Sequence, residues 1–252
     1  MIKRRLLLFL VILFNLIIKF WRLGIIPPLL GDNSLALRFL SAIVSLFFTL
    51  LIYLLVRKIY HSSKLSLLSV ILFSILPQTV IEGRIVSILV YPPFWIENIP
   101  RSVSLFKLIS NFFTLISFNM LLFNNTTFYW GGIRDFGVIY LSLLPFFITG
   151  VFVFTLQKKI TPLILLMIIF LLISMSPKFP ENRTVLLSIP LFSLIIAKGI
   201  LNFWQNKNIH IRFISILLFI FLFYELIQFF HFYTIHYPRQ VTDFSDNIVK
   251  PF

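Results

Sequence analysis

The chain has 252 residues, of which 59% are hydrophobic and 12% are charged, and its mean hydropathy is +1.00. Soluble domains carry about 25% charged residues, so this composition excludes a soluble globular domain and indicates a protein that resides in the bilayer. The net charge of +14 does not indicate nucleic acid binding, because lysines and arginines cluster at the ends of apolar runs, where they set membrane topology. The absence of cysteine excludes disulfides and thiolate chemistry.

The apolar runs predict an all-α, polytopic fold of about seven membrane-spanning helices in one membrane domain that covers residues 1–252. We place the spans at Leu6–Trp21, Leu35–Val56, Leu65–Ile81, Gly137–Leu156, Thr161–Ser176, Thr184–Ile200 and Phe213–Tyr233. Basic clusters precede the first span and lie in the short connectors, which predicts a cytoplasmic N-terminus in a cell membrane. An odd number of spans then makes the C-terminal tail, residues 236–252, external.

The longest interval that lipid cannot bury completely is residues 82–135, which we predict to be an external loop. Within it, Leu105–Phe123 has helical periodicity. One face carries Lys107, Asn111, Thr114 and Ser117, and the other carries Leu108, Ile109, Phe112, Phe113 and Ile116. This pattern predicts an amphipathic helix that lies in the membrane interface rather than across it.

Three arginines lie at the predicted external ends of spans, namely Arg84, Arg134 and Arg183. Guanidinium groups form strong, charge-assisted hydrogen bonds with phosphate, so these residues are candidates for binding a lipid phosphate. Ordinary anchoring to lipid headgroups explains them equally well, and both interpretations stay open.

Short motifs near the ends of the predicted spans occur in an order typical of one group of membrane enzymes. They are Arg38-Phe-Leu-Ser-Ala-Ile, Tyr53-Leu-Leu-Val-Arg-Lys58, Ser74-Ile-Leu-Pro77 with Glu82-Gly-Arg84, Gly137-Val-Ile-Tyr140 leading to Pro145, Asn182-Arg183 leading to Pro190, and His236-Tyr-Pro-Arg239. Together they resemble bacterial GT-C glycosyltransferases of the dolichyl-phosphate-mannose protein mannosyltransferase and aminoarabinose transferase type. Members of that family are longer, and only the twelve-residue connector Leu23–Ser34 joins the first two spans here, where the family carries its catalytic acidic loop.

The resemblance implies inverting transfer of a sugar from a polyprenyl-phosphate donor at the outer face of the membrane. A carboxylate would deprotonate the acceptor hydroxyl, and basic side chains would hold the lipid phosphate. Membrane lipid and the donor are the implied partners, and nucleic acid is not. Only the resemblance suggests a divalent metal cofactor. The residues themselves indicate no metal site, because the four histidines are too scattered in the sequence for a ligand spacing.

The shortened first loop motivates an alternative, a non-catalytic relative that acts as a membrane scaffold or lipid-phosphate binder. Its membrane-protein partner would be a complete enzyme. Internal repeats and paired midplane charges, which are typical of transporters, are lacking. Enzymatic activity therefore remains open between the first two interpretations.

Two acidic residues are candidates for the catalytic base. Asp32 is the only acid in the first external connector, but its neighbours are typical of a turn or a helix cap, which is the favoured interpretation. Glu225 lies inside the last span, where an ionisable group suggests a function. The alternative for Glu225 is a buried polar contact, for example with Lys19, that holds the last span against the first.

Overall fold

The computed structural model describes residues 9–17, 35–82, 104–123, 136–175 and 185–236, and all regular secondary structure in these ranges is helical. The α-helices are α1 (9–17), α2 (Leu35–Tyr60), α3 (Ser63–Ile75), α4 (Pro77–Glu82), α5 (Leu105–Ile116), α6 (Leu144–Leu156), α7 (Thr161–Ser174), α8 (Ile189–Gln205) and α9 (Ile209–His231). Single 3-10 turns, Leu141–Leu143 and Leu186–Ser188, lead into α6 and α8. Two π-helices, Asn119–Phe123 and Phe232–His236, follow α5 and α9.

Three helical segments of the described chain are long and apolar enough to cross a membrane: Ala42–Tyr60, Leu186–Gln205 and Ile209–His236. Segments Leu141–Leu156 and Thr161–Ser174 together meet the same criterion, but they are bent by 118° at the break between them. The described residues therefore contain three candidate spans, or four if the bent pair is one span. The predicted apolar, all-helical class is confirmed, whereas seven spans remain a prediction.

Several predicted helix bounds were wrong. The span predicted over Leu65–Ile81 is broken at Leu76, whose backbone leaves the helical region (φ −59°, ψ 138°). The cause is Pro77, because a proline disfavours the helical conformation of the residue before it and starts the next helix readily. Residues 136–140 are not helical, so the next predicted span begins at Leu141 rather than at Gly137.

The connector between the predicted spans Thr184–Ile200 and Phe213–Tyr233 is shorter than expected. Helix α8 continues to Gln205, and α9 already begins at Ile209. The side chain of Asn208 accepts a 2.9 Å hydrogen bond from the backbone N–H of His210, which caps the first turn of α9. Only residues 206–208 separate the two helices.

Helices α6 and α8 cross in direct backbone contact at two glycines. A Cβ atom at Gly150 would overlap the carbonyl oxygen of Ile195, and a Cβ atom at Gly199 would overlap the carbonyl oxygen of Phe146. Lipid tails are as apolar as leucine, so close packing at small residues is a main source of helix association in membranes. This crossing places α6 and α8 at the centre of the buried cluster.

Two contacts identify which helix ends lie together. The rings of Tyr60, at the end of α2, and Phe154, near the end of α6, have centroids 5.8 Å apart. At the other end of α6, the hydroxyl of Tyr140 donates a 2.9 Å hydrogen bond to the carbonyl of Ile75, the last residue of α3. The end of α2, the start of α3 and the turn between α6 and α7 therefore share one end of the bundle. This basic end carries Arg57, Lys58, Lys64, Lys158 and Lys159.

Helix α5 packs against the opposite end of α7. The side-chain amide of Asn111 is buried and donates a 2.9 Å hydrogen bond to the carbonyl of Ser174, the last residue of α7. The predicted polar face is therefore partly an internal contact, and the apolar residues Phe106, Ile109 and Phe113 are exposed instead. The α-helix also ends at Ile116, earlier than predicted, and a π-helix replaces its last turn.

Candidate functional site

Glu225 of α9 contacts the start of α6. Its side chain is 9% exposed. One carboxyl oxygen, Oε1, accepts a 2.9 Å hydrogen bond from the backbone N–H of Leu141, and the other, Oε2, accepts a 3.1 Å hydrogen bond from the N–H of Ser142. These two donors belong to the 3-10 turn that leads into α6, so an acidic side chain from a distant helix caps this N-terminus.

The local sequence around residue 141 explains why that cap comes from another helix. The first N–H groups of a helix have no partner within the helix. Tyr140, at the N-cap position of the 3-10 turn, makes no side-chain hydrogen bond to it, and Pro145 lies in the first turn of α6. The N-terminal end of a helix carries a partial positive charge, which favours a neighbouring carboxylate. Glu225 thus satisfies two donors that the apolar sequence around them leaves without a partner.

Aromatic rings pack beside this contact. Phe229, one turn after Glu225, has its ring centroid 5.4 Å from Phe136, 6.1 Å from Tyr140 and 5.8 Å from Tyr233. Tyr140 and Phe229 are fully buried. The surroundings of Glu225 are consequently apolar and closely packed, which strengthens the carboxyl–N–H interaction because water does not compete for it.

This geometry restricts what Glu225 can do chemically. A general base must present an oxygen lone pair to the hydroxyl that it deprotonates. Both oxygens of Glu225 already accept a backbone hydrogen bond, and the side chain is buried. The arrangement corresponds to the buried polar contact anticipated as the alternative, with the N-terminus of α6 as its partner. Lys19, the partner suggested from the sequence, lies outside the described residues. The catalytic role of Glu225 stays a prediction.

The other candidate site residues, Asp32, Arg84, Arg134 and Arg183, lie outside the described residues. Sequence reasoning did not connect Ser142 or Leu141 with Glu225, because backbone donors leave no mark in a sequence. The side-chain Oγ of Ser142 is also buried, and it has no hydrogen-bond partner among the described residues. The signal that existed was the start of an apolar helix without an acidic or hydroxyl residue placed to cap it.

Gln228 and His231 follow Glu225 by three and six residues in the chain, but they have other partners. Gln228 donates a 2.8 Å hydrogen bond to the hydroxyl of Tyr224. The ring of His231 lies beside that of His236, with centroids 5.4 Å apart. In the described part of the chain, no three His, Cys, Asp or Glu side chains converge on a metal position. The described residues thus provide no full ligand set for the divalent metal that the resemblance raises.

Comparison with known families gives a match over the N-terminal part of the chain. Residues 17–92 match the family described as dolichyl-phosphate-mannose-protein mannosyltransferase. The matched segment contains α2, α3 and α4 and is less than a third of the chain. Comparisons with curated proteins and with solved structures gave no significant match. The resemblance seen in the motifs is confirmed over these residues, and with the apolar helices it indicates a multi-pass, mannosyltransferase-like membrane protein.

Proposed function

We propose that this protein is a GT-C-type membrane glycosyltransferase that uses a polyprenyl-phosphate sugar donor at the outer face of the cell membrane. The family match over residues 17–92 is the observation that carries the proposal. It includes the first connector with Asp32, the candidate base, and the segment with Arg84, one of the candidate phosphate ligands.

The topology that we propose has seven spans and a cytoplasmic N-terminus. Five basic side chains share one end of the described bundle, and basic residues flanking spans favour the cytoplasmic side. That assignment makes the end with Glu225 and α5 external. The exposed apolar residues of α5, among them Phe106 and Phe113, then rest in the outer interface.

In the proposed reaction, the Asp32 carboxylate takes the proton of the acceptor hydroxyl while the hydroxyl oxygen attacks the anomeric carbon of the donor sugar. A new bond forms from that carbon to the acceptor oxygen, and the bond from the carbon to the phosphate oxygen breaks. Polyprenyl phosphate leaves with the bonding electron pair. Arg84, Arg134 and Arg183 stabilise the developing charge on this leaving group through charge-assisted hydrogen bonds.

A second candidate function is non-catalytic binding of a lipid phosphate, as a scaffold for a complete enzyme. The observation in its favour is the geometry of Glu225, the acidic side chain whose contacts the structure describes. Its two oxygens are committed to backbone donors, so the bundle gains a structural contact rather than a free base. Under this interpretation Asp32 is a turn residue.

A transfer assay separates the two functions. Purified protein in lipid is given radiolabelled polyprenyl-phosphate sugars, and release of polyprenyl phosphate is measured for wild type, Asp32→Asn and Glu225→Gln. The matched control is Asn33→Ser, which alters the adjacent polar residue without removing a carboxyl group. The thermal midpoint of each variant is recorded in parallel.

The expected result is turnover by wild type and by Asn33→Ser, and at least a hundredfold loss in Asp32→Asn at an unchanged thermal midpoint. Loss confined to Glu225→Gln, also without a change in thermal midpoint, would assign the base to α9 instead. Donor binding without turnover by wild type would support the non-catalytic function. Neither binding nor turnover with any polyprenyl-phosphate sugar would contradict both.

A further inference from the structure

Two histidine rings meet at the end of α9. His231 is the last residue of this helix, and His236 is the last residue of the π-helix Phe232–His236 that continues it. Their ring centroids lie 5.4 Å apart, with the ring planes inclined by 64°. His231 is exposed and His236 is half-buried, so the pair is accessible from outside the bundle.

The π-helix is the reason that these rings meet. In an α-helix, residues five apart point about 140° away from each other, since each residue turns the chain by about 100°. A π-helix has hydrogen bonds from residue i to i+5, which brings residues five apart onto nearly the same side of the helix. Such segments are rare and frequently occur at functional sites. The five-residue spacing of His231 and His236 therefore does not predict a contact from the sequence. The two rings meet only because the backbone between them is π-helical.

We propose that His231 and His236 form a binding site for a divalent transition metal ion of the zinc type. Imidazole nitrogen is a preferred ligand for such ions. With zinc–nitrogen bonds of about 2.0–2.1 Å, two imidazole rings on one tetrahedral ion have their centroids about 5 Å apart. The observed 5.4 Å matches this separation.

Among the described residues, the neighbours of the pair supply no third His, Cys, Asp or Glu ligand, so water or a bound ligand would complete the coordination sphere. Phe232 packs beside both rings, with centroids 6.1 Å from His231 and 5.0 Å from His236. The hydroxyl of Thr234 donates to the backbone carbonyl of Phe230, in the helix before the pair. The site proposed is thus a two-histidine site with open positions, and it is independent of the glycosyl transfer proposed above.

The test measures metal binding directly. The full chain is purified in detergent without a histidine tag, and Co²⁺ is added as a spectroscopic probe whose visible absorption reports its ligands and geometry. Competition with Zn²⁺ then gives the zinc affinity. The variants are His231→Ala and His236→Ala. His210→Ala is the matched control, because this residue is an exposed histidine of the same helix, in the first turn.

We expect one metal ion per chain in wild type and in His210→Ala. Each of His231→Ala and His236→Ala should weaken binding at least tenfold, because each removes one of two protein ligands. Zn²⁺ should also raise the thermal midpoint of wild type and not that of a variant that combines His231→Ala and His236→Ala, a readout that requires each variant only to be folded.

Three results would overturn the site. The first is that wild type does not bind Zn²⁺ at micromolar concentration, and the second is that both alanine variants still bind it as wild type does. The third is that only one of the two variants loses binding, which would mean an adventitious ion on a single histidine. In each case, packing of the rings against Phe232 would account for the pair.

Discussion

The hydroxyl of Tyr140 donates a 2.9 Å hydrogen bond to the backbone carbonyl of Ile75, across 65 residues of the chain. Ile75 ends α3, and the next residue, Leu76, is the break before Pro77. Carbonyl groups at a helix end have no partner within the helix, and inside a membrane such groups need one. Tyr140 thus satisfies a carbonyl that the proline break leaves open, and it fixes the end of α3 against the start of α6.

Replacing Tyr140 with phenylalanine tests the value of that bond. The ring contacts with Phe136 and Phe229 remain, and only the hydroxyl is lost. We expect Tyr140→Phe to lower the free energy of unfolding by about 1 kcal/mol, a typical value for one hydrogen bond. The thermal midpoint in detergent measures the effect. Tyr224→Phe is the control, since Tyr224 is exposed and its hydroxyl accepts a hydrogen bond from the exposed end of Gln228; an equal loss in both variants would contradict the assignment.

Glu225 should contribute to stability independently of any activity. Glu225→Ala leaves the N–H groups of Leu141 and Ser142 without an acceptor in apolar surroundings, at a cost of about 2–4 kcal/mol. Glu225→Gln retains one acceptor oxygen, so its cost should be smaller. Thermal unfolding of the variants gives the order, with Gln228→Ala, a half-buried neighbour whose side-chain hydrogen bond is exposed, expected to change stability by less than about 0.5 kcal/mol. A thermal midpoint for Glu225→Ala equal to that of wild type would exclude the capping role.

The crossing of α6 and α8 should not tolerate even a methyl group. Gly150→Ala and Gly199→Ala each place a Cβ against a backbone carbonyl of the partner helix, and overpacking of this kind costs about 1–3 kcal/mol. Because both glycines lie in one contact, the double variant should cost less than the sum. The fraction of protein that stays folded after heating, measured by size-exclusion chromatography, reports these effects. Ile148→Ala, at a side chain that is 57% exposed, should behave like wild type.

The proposed orientation can be measured because the chain has no cysteine. Single cysteines are introduced at Lys107 in α5 and at Lys159 in the turn between α6 and α7, both exposed positions. A membrane-impermeant maleimide should label Lys107→Cys in intact cells and Lys159→Cys only after permeabilisation. The reverse pattern would invert the topology. Labelling of both from one side would contradict the arrangement of α5 at the far end of α7.

Local patterns in the sequence were enough to predict the helical, membrane-embedded class and the first residue of α5. They were not enough to predict which surfaces meet. In a soluble helix the polar face marks the outside, but here the exposed and buried faces of α6 and α9 are both apolar, so periodicity does not distinguish them. The proline signal at Pro77 was present, and the prediction of a continuous span through it was wrong.

The candidate site was harder to predict because its contacts join distant parts of the chain. Glu225 stood out in the sequence as an acid within an apolar run, yet its partners are two backbone N–H groups more than 80 residues earlier. No side chain identifies those donors. The histidine pair was missed for a different reason: a five-residue spacing separates side chains on an α-helix, and only the π-helix after α9 brings them together.

The contact between Glu225 and the start of α6 also sets an order for assembly during synthesis. Leu141 is made 84 residues before the glutamate that receives its N–H bond. At about 5–20 residues per second, the start of α6 therefore waits on the order of ten seconds for its cap. Over that interval the N–H groups of Leu141 and Ser142 lack the acceptor that they have in the folded protein, and they gain it when α9 arrives. The last described helix in the chain is thus the one that completes the first turn of α6. A chain interrupted before residue 225 lacks the acceptor for these two N–H groups.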